Sequence, residues 1–294
     1  MIVVKLKGGL GNQMFQYAFA RVLIKNKESI YVDLEFLNTH NKSNINFTAR
    51  NYELGIFKNC RIKKFSNLQR NLFFDKKLRF RILRKILIGE IKQIKQIGNE
   101  TITYPIYFKN LYIDGYFQSE KYFNSIKNAI INEFSFPKLD HKNRLIQNQI
   151  LLDENSVSIH IRRGDYLKPP VLEYHGVLPI SYYYNAIEII RNKYKDITFY
   201  FFSDDEEFVK NNFTKIEPKI YIYDNNGENS WKDMYLMKSC KHHIIANSSF
   251  SWWGAWLSDR DGITCAPKYW FNPKIAKFEI SDFVPKSWHI INYD

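Results

Sequence analysis

The pattern of apolar and polar residues alternates along the chain between short β-rich runs and amphipathic helices. In the N-terminal half, residues 1–6 and the segment SIYVDL at 29–34 are β-rich, and residues 12–26 between them have helical apolar spacing. The C-terminal half repeats this alternation, with a helix predicted at 180–194 among five β-rich runs. These runs are SVSIHI (156–161), ITFYFF (197–202), KIYIY (219–223), HHIIA (242–246) and GITCA (262–266). Strands that alternate with helices predict a largely parallel sheet covered on both faces.

Two α/β halves of this kind predict two Rossmann-like domains that face one cleft. The polar segment 135–155, with a proline near its start and one predicted connecting helix, marks the boundary. We therefore predict an N-terminal domain over 1–150 and a C-terminal domain over 151–294, with its C-terminal tail packing back on the first domain. Residues 112–123 mix aromatic and polar side chains, which predicts a loop that enters a helix. A chain of 294 residues is long enough for two such domains.

The net charge of +13 is distributed unevenly, and one segment accounts for most of it. Residues 61–95 contain twelve basic but only two acidic residues. The same segment is predicted to form one basic amphipathic helix, from the spacing of Phe80, Leu83, Leu87, Ile91 and Ile94. Either this apolar stripe packs against the domain beneath a solvated basic face, or the helix lies on an anionic membrane surface or guides an anionic acceptor. Nucleic acid is a third alternative, but no nucleic-acid-binding motif accompanies the charge.

The cysteines and the first residues indicate in which cellular compartment the protein works. Cys60, Cys240 and Cys265 are too few and too scattered for a disulfide framework, which favours a reducing environment. The first residues contain no secretory apolar region, and no apolar run is long enough to span a membrane. We predict a cytoplasmic protein, either free or peripheral on the inner face of the cell membrane.

Polar clusters follow three of the predicted C-terminal strands, at the edge where parallel sheets bind ligands. In HIRRGDY at 160–166, strand alternation points His160 and Arg162 in one direction and Arg163 in the other. The Arg162 guanidinium suits a bidentate contact with phosphate oxygens, and Asp165 is placed to hold an arginine. The alternative is a structural Arg–Asp pair beside a hydrogen-bonded histidine.

The second cluster, NSSFSWWGAW at 247–256, predicts a helix that begins near Phe250. Ser248 or Ser249 caps this helix, and the free N–H groups of the first turn form an anion site together with the hydroxyls of Ser248, Ser249 and Ser251. The alternative is an ordinary capped helix. In both cases the tryptophans are predicted to lie mostly in the core: Trp252, Trp253 and Trp256.

The third cluster, FFSDDEE at 201–207, leaves three alternatives for Asp204 and Asp205: holding a divalent metal on a nucleotide-sugar diphosphate, recognising a guanine edge, or capping the next helix. An arginine that neutralises phosphate makes a metal unnecessary, so we favour base recognition by Asp204 and a helix N-terminal position for Asp205. Three other potential metal ligands have strand spacing but no fourth partner, and we interpret them as structural: Cys240, His242 and His243.

The glycine turn KGGLGNQMFQYA at 7–18 partly matches a dinucleotide-binding fingerprint. Gly9 and Gly11 supply the G-x-G pair, and Asp33 ends the next strand where a ribose-binding acid belongs. Met14, however, stands where the third glycine is needed for close helix packing, so the match is weak.

We therefore do not interpret the turn as a nicotinamide cofactor site. For Gly8 alone a purely structural interpretation stays open.

Five segments together resemble the bacterial α-1,2-fucosyltransferases of glycosyltransferase family 11. They occur in the family's order: GGLGNQMFQYAFA (8–20), DGYFQSEKYF (114–123), HIRRGDY (160–166), FSDD (202–205) and NSSFSWWGAWL (247–257). The resemblance implies an α/β, GT-B-like fold with two Rossmann-type domains facing a central cleft. It also implies an inverting transfer of L-fucose from GDP-β-L-fucose to the 2-hydroxyl of a galactose-terminated glycan or lipid-linked glycan. No cofactor and no obligatory metal are expected.

The resemblance also implies roles for single residues. Gly9 and Gly11 let the backbone of the turn approach the donor, and Asn12 and Gln13 supply neutral hydrogen bonds to the donor sugar or phosphate. Arg162 contacts the β-phosphate of GDP, His160 helps to position the donor, and Asp204 reads guanine. The pyrophosphate and guanine site is lined by Ser248, Ser249, Phe250 and Ser251. The base that deprotonates the acceptor stays open among His160, Asp165, Glu120 and a phosphate oxygen.

Three rival functions are weaker. The first is a GDP-fucose-dependent transferase with another acceptor linkage, the second a nicotinamide-dependent oxidoreductase built on the glycine turn, and the third a polyanion-binding protein without enzymatic activity. The two rivals that are not fucosyltransferases leave the three polar strand ends unexplained.

Overall fold

A computed structural model describes residues 1–24, 28–98, 102, 108–276 and 282–293. The chain divides into two compact units, of which unit 1 comprises residues 1–42 and 49–135, and unit 2 comprises residues 43–48 and 136–294. The division falls at the start of the polar segment in which the sequence places a boundary. The helix of that segment belongs to unit 2.

Unit 1 contains a five-stranded parallel sheet with helices in its connections. Its elements are β1 (Ile2–Lys5), α1 (Leu10–Val22), β2 (Ile30–Asp33), α2 (Glu35–Thr39), β3 (Ile62–Lys64), α3 (Asn67–Phe74), α4 (Leu78–Leu87), β4 (Lys92–Lys95), β5 (Leu111–Asp114) and α5 (Lys127–Glu133). The sheet order is β3-β2-β1-β5-β4, and Val4 of β1 pairs with Val32 on one side and Ile113 on the other. The strand order reverses between β1 and β5, so the carboxyl ends of these two strands flank the crevice where such sheets bind ligands.

Helix α1 is buried along most of its length because its sequence is apolar on nearly all sides. Its few polar residues find partners inside the unit: Arg21 Nε donates to Glu133 Oε1 at 2.8 Å, and Tyr17 donates to Glu133 Oε2 at 2.7 Å. The helix ends at Val22. The predicted helix end near Asn26 lies outside the described residues.

The prediction of one basic amphipathic helix within 61–95 is wrong. The segment begins and ends in strands, with Ile62 of β3 paired with Ile30 and Ile94 of β4 paired with Ile113. Sheet pairing satisfies the backbone there, which leaves only α3 and α4 as helices. The segment 112–123 differs from its prediction in the same way, since it begins inside β5 and reaches only a 3₁₀ turn at Glu120–Tyr122.

Unit 2 contains a six-stranded parallel sheet in the order β11-β10-β9-β6-β7-β8. Its elements are α6 (His141–Leu152), β6 (Asn155–Ile161), α7 (Pro169–His175), α8 (Ile180–Arg191), β7 (Ile197–Ser203), α9 (Glu206–Asn212), β8 (Lys219–Ile222), α10 (Trp231–Ser239), β9 (His242–Ile244), α11 (Ser249–Trp256), β10 (Thr264–Pro267) and β11 (His289–Ile291). Counted along the unit, this is the 3-2-1-4-5-6 order of the doubly wound fold. All five strands predicted for the C-terminal half are confirmed.

Strand β11 was not predicted. Ile290 of β11 pairs with Ala266 of β10, so this part of the tail completes the unit 2 sheet. Three residues of mixed polarity give too short a pattern to be recognised in the sequence.

Both faces of the unit 2 sheet are covered, which explains why every residue from Ser156 to Ile161 of the central strand β6 is buried. On one face Ile159 and Phe201 pack with the buried side of α8, including Ile187. On the other face Phe202 packs with Leu236 of α10. No helix among the described residues is long and apolar enough to cross a membrane.

Candidate functional site

The strand order of the unit 2 sheet reverses between β6 and β9, which lie side by side with Ile159 paired to Ile244. Ligands of doubly wound sheets bind in the crevice at this reversal, beyond the carboxyl ends of the strands. The chain leaves β6 through Arg162 and leaves β9 through Ser248. Two of the three predicted polar clusters therefore meet at the topologically favoured place.

Arg162 is clamped between two carboxylates. Its Nη1 lies 2.7 Å from Asp204 Oδ2, and its Nη2 lies 2.5 Å from Asp165 Oδ1, as predicted for Asp165. Burial alone would lower the pKa of Arg162, but Asp204 and Asp165 raise it above its ordinary value, so the guanidinium is always charged. The side chain is 22% exposed. This fixed cation can therefore still be reached by an anionic ligand.

Asp204 is occupied by the loop that carries Arg162. While its Oδ2 faces the guanidinium, its Oδ1 accepts hydrogen bonds from the backbone N–H of Arg163 at 2.8 Å and of Gly164 at 3.1 Å. A Cβ at Gly164 would lie only 2.8 Å from Asp204 Oδ2, so the glycine is required for this approach. These contacts make Asp204 hold the loop, and its recognition of guanine stays a prediction.

Arg163 forms a second pair that points away from Arg162, as strand alternation predicts. Its Nε lies 2.9 Å from Asp205 Oδ2, and its guanidinium lies 3.7 Å from the centre of the Phe208 ring. Asp205 Oδ1 accepts from Phe208 N at 3.0 Å and caps α9, which confirms its predicted helix N-terminal position. Arg163 is thus a structural residue of the loop.

His160 lies buried at the end of β6, with its ring centre 5.9 Å from that of Phe250. Burial, with a smaller contribution from the charge of Arg162, lowers the pKa of His160 to about 3. The ring is therefore neutral at physiological pH. Its Nδ1 is buried without a hydrogen-bond partner among the described residues. This ring nitrogen is therefore left to form a hydrogen bond with a bound ligand.

The serines of the second polar cluster differ in their contacts and in their exposure. Ser248 is the N-cap of α11 and accepts from Phe250 N at 3.3 Å, while the buried Ser251 donates back to the Ser248 carbonyl at 3.3 Å. Ser251 therefore stabilises the first turn of the helix, and its ligand contact stays a prediction. Ser249 and Phe250 are part-exposed at the first turn and stay available. The three tryptophans of the helix are buried, as predicted: Trp252, Trp253 and Trp256.

The glycine turn of unit 1 is held by the side chain of Gln13. Its Nε2 donates to the carbonyls of Gly8 and Asn51 at 2.9 and 2.7 Å, and its Oε1 accepts from Glu53 N at 2.9 Å. Both the nitrogen and the oxygen of this buried amide are therefore hydrogen-bonded inside the unit. We therefore assign Gln13 to the fold and not, as predicted, to a ligand.

Asn12 lies at the reversal point of the unit 1 sheet, where the turn after β1 meets the segment after β5. Its Oδ1 accepts from Gln118 Nε2 at 2.7 Å. Its Nδ2 lies beside Gly8, whose φ of +75° and whose close approach to Asn12 both require glycine. Gly9 instead has an extended backbone that any residue adopts. Asn12 Nδ2 thus remains the neutral donor that the sequence predicts at this turn.

The family model for glycosyl transferase family 11 matches residues 1–292. The chain belongs to glycosyl transferase family 11. Two relatives from Escherichia coli match over nearly their whole length. The O-antigen biosynthesis glycosyltransferase WbnK is 34% identical, covering 90% of this chain and 93% of the relative. Alpha-1,2-colitosyltransferase is 32% identical, covering 98% of each chain.

More distant proteins share parts of the sequence or the fold alone. Human galactoside alpha-(1,2)-fucosyltransferase 1 is 26% identical over 53% of this chain and 45% of its own length. The structure of a point mutant of Arabidopsis thaliana FUT1 in complex with GDP is 10% identical, with a TM-score of 0.50 over 99% of this chain and 76% of that chain. The predicted GT-B-like class with two Rossmann-type units is confirmed.

Membership of family 11 removes the nicotinamide-dependent rival, and the geometry gives a physical reason. Asp33, which would bind a ribose, is buried and already accepts from Arg70 Nη1 at 2.5 Å and from the Tyr112 hydroxyl at 2.7 Å. The potential metal ligands near β9 serve the fold: His242 Nδ1 accepts from Ile263 N, and His243 Nδ1 lies 2.9 Å from Ser158 Oγ. Within the described ranges, no group of three potential metal ligands is found.

Asn247 lies at the same strand end, although the sequence gives it no role of its own. It is buried between the exit of β9 and the loop after β6, where its Nδ2 donates to the His175 carbonyl at 3.0 Å and its own carbonyl accepts from the Tyr166 hydroxyl at 2.9 Å. Its Oδ1 has no partner among the described residues. Its position directly before a capping serine at a strand end was the available signal.

Proposed function

We propose that this family 11 glycosyltransferase transfers L-fucose from GDP-β-L-fucose to the 2-hydroxyl of a galactose-terminated glycan, in the synthesis of a bacterial O-antigen or a related surface glycan. The observation that carries the proposal is the clamped Arg162 at the reversal point of a doubly wound sheet. The names of the relatives support the sugar, the linkage and the O-antigen context.

The reaction needs a cation where the leaving group develops charge. The acceptor oxygen attacks C1 of fucose and loses its proton, while the bond between C1 and the β-phosphate oxygen breaks and GDP leaves with the bonding electrons. The configuration at C1 inverts. Arg162 binds the β-phosphate in the proposal, and the first turn of α11 with Ser249 binds the diphosphate. Because Asp165 and Asp204 hold the guanidinium in advance, no reorganisation is needed as the charge forms.

The geometry narrows the candidates for the base. His160 is a weak base because burial lowers its pKa to about 3. Asp165 is engaged with Arg162. Of the four candidates, Glu120 and a phosphate oxygen of the donor therefore remain the better ones. For His160 we keep the role of positioning the donor through a neutral ring nitrogen.

We propose that the transfer proceeds without a divalent metal. Asp204 and Asp205, the two carboxylates considered for a metal, each face an arginine instead. Arg162 can supply the positive charge that a metal otherwise provides to a diphosphate. Activity that is unchanged by EDTA supports this part of the proposal, and activity that is restored by magnesium or manganese contradicts it.

We assign acceptor binding to unit 1 and donor binding to unit 2. A cavity of about 210 Å³ lies at the carboxyl ends of β1 and β2. It combines the aromatic ring of Phe36 with charged hydrogen-bonding groups, including Glu35 and Arg70, and such combinations suit sugar hydroxyls.

A second donor is favoured by one comparison. The relative that covers 98% of this chain is a colitosyltransferase, and colitose is fucose without its 3-hydroxyl. GDP-colitose is therefore the alternative donor, with the same leaving group and the same predicted use of Arg162.

The testing experiment incubates the purified protein with GDP-fucose or GDP-colitose and a panel of galactose-terminated acceptors, with and without EDTA. We expect GDP release that depends on the acceptor and an α-1,2-linked product by NMR. Transfer of neither sugar to any galactoside, under conditions where GDP binds, contradicts the proposal. A product with another linkage retains the donor and corrects the acceptor.

A further inference from the structure

Helix α4 exposes a row of large aliphatic side chains that the fold does not cover. Leu78, Ile82 and Ile86 follow one another at spacings of four residues and are 69%, 52% and 72% exposed. Leu83 and Leu87 extend the exposed apolar surface along the adjacent side of the helix. Of the predicted apolar stripe, Phe80 packs against the domain, whereas Leu83 and Leu87 are exposed.

The opposite side of α4 is fixed to the unit. Phe80 is buried, and Arg84 donates from Nε to the Leu72 carbonyl at 2.5 Å and from Nη2 to the Asp75 carbonyl at 2.7 Å. These contacts hold α4 against α3 and set which side faces solvent. The aliphatic row is thus displayed by an anchored helix.

Positive charge surrounds the aliphatic row. Arg81 and Lys85 lie along one side of it and Arg79 along the other, and all three are exposed. Lys76 and Lys77 precede the helix and are exposed as well. No acidic residue occurs between positions 76 and 87. An aliphatic centre with cationic flanks is the pattern of a helix that lies in a membrane interface.

We propose that α4 docks the protein on an anionic lipid bilayer, with Leu78, Ile82 and Ile86 inserted at the headgroup boundary and the flanking Lys and Arg residues on anionic headgroups. A second copy of the chain is a poor occupant, because pairing two such helices brings their positive charges together. Nucleic acid offers phosphates but nothing apolar for the aliphatic row. A bilayer satisfies both chemistries at once.

The test is co-sedimentation of the full chain with vesicles of phosphatidylcholine alone or with 30% phosphatidylglycerol, at low and high salt. We expect binding to the anionic vesicles only, weakened by salt. Ile82→Ser combined with Ile86→Ser, and separately Arg81→Gln combined with Lys85→Gln, should each lower the partition coefficient roughly tenfold or more. Leu152→Ser, at an 87% exposed leucine of α6 in unit 2, is the matched control and should bind as the wild type does.

Each result decides for or against the proposal. Absence of wild-type binding, equal binding to neutral vesicles, or an equal loss in the Leu152→Ser control overturns it. A dimer in light scattering that the Ile82 and Ile86 substitutions abolish overturns it in favour of a second copy. Transfer to a water-soluble acceptor should be unchanged in all variants, so the outcome is independent of the proposed donor and acceptor.

Discussion

Both units contain an arginine held by carboxylate groups, and the two arrangements differ in exposure. In unit 1, Arg21 and Glu133 are 8% and 6% exposed, and they join α1 to α5 together with Tyr17. In unit 2, Arg162 is 22% exposed and is held by Asp165 and Asp204 at the end of a strand. The same pair chemistry is thus enclosed in one unit and presented at an edge in the other.

The difference separates a structural ion pair from a functional one. A fully buried pair can be reached by nothing else, so its removal is felt as lost stability. An arginine that pairs with two carboxylates has more partners than stability alone requires. Because one side of it is accessible, it can also bind a third anion without moving. The comparison predicts that variants of the two clusters fail in different assays.

The largest effect is expected for Glu133→Ala. It leaves the Arg21 charge buried and unpaired, which costs about 3–5 kcal/mol of unfolding free energy. Hydrogen exchange of peptides from α1 measures the loss. Glu188→Ala, which removes the partner of Arg191 in a part-exposed pair, is the control and should change little. Retained protection of α1 in Glu133→Ala would contradict a structural role.

Arg162→Ala should lower the rate of transfer by about 10²–10³, because a preorganised donor to the leaving group is lost. The melting temperature should stay close to that of the wild type, since the side chain is not in the core. Arg191→Ala, a part-exposed arginine in the same unit, should retain full activity. Steady-state kinetics with GDP-fucose compare the variants with the wild type. Normal turnover by Arg162→Ala would contradict the assignment of Arg162 to the leaving group.

Acid should destabilise unit 2 before unit 1. Burial lowers the pKa of four unit 2 histidines below the ordinary value of about 6.5, to about 3 for His160 and His243 and about 4 for His175 and His242. The unfolded chain therefore binds protons at a pH where the folded chain does not. The free energy of unfolding falls as the pH drops from about 6.5 towards 4, by up to about 1.4 kcal/mol per pH unit for each histidine. Unit 1 has only the exposed His40.

Tryptophan fluorescence reports this loss selectively, because all six tryptophans lie in unit 2. Between pH 7.5 and 5, we expect the fluorescence-detected melting temperature to fall, and His243→Gln to flatten the dependence. The exposed His289→Gln serves as control. A melting temperature independent of pH is the contradictory result.

The smallest effect is expected for Asn12→Ala, in the glycine turn of unit 1. Loss of one neutral hydrogen bond, about 0.5–1.5 kcal/mol, should reduce kcat/KM several-fold. Gln118→Ala removes the partner of Asn12 Oδ1 but leaves its Nδ2 donor, and should have less effect. Unaltered kinetics of Asn12→Ala would make the whole turn structural.

The sequence predicts the parts of the fold that have strong periodic patterns. The five C-terminal strands, α8 and the cap of α9 by Asp205 were all predicted from local residues. Segment 61–95 was not, because its apolar residues fit a helical period while sheet pairing with distant strands decides the ends. Strand β11 was too short to be recognised.

The candidate site was predictable in its residue types but not in its partners. That Arg162 and Asp165 pair follows from their spacing, whereas the contact of Asp204 with Arg162 joins residues 42 positions apart that follow the ends of two neighbouring strands. The same holds for Gln13, whose hydrogen bonds to residues 51–54 depend on how the chain returns to the turn. Asn247 precedes a capping serine at a strand end, but nothing in the local sequence shows that its side chain is buried.

The central claim, that the clamped Arg162 binds the β-phosphate of the donor, is tested most directly by calorimetric titration of GDP and GMP into wild-type protein and Arg162→Ala. Charge-assisted hydrogen bonds contribute about 1.5–3 kcal/mol, so the wild type should prefer GDP to GMP by roughly tenfold or more, and Arg162→Ala should lose most of that preference. An Arg162→Ala protein that remains folded and keeps the wild-type preference for GDP would contradict the claim.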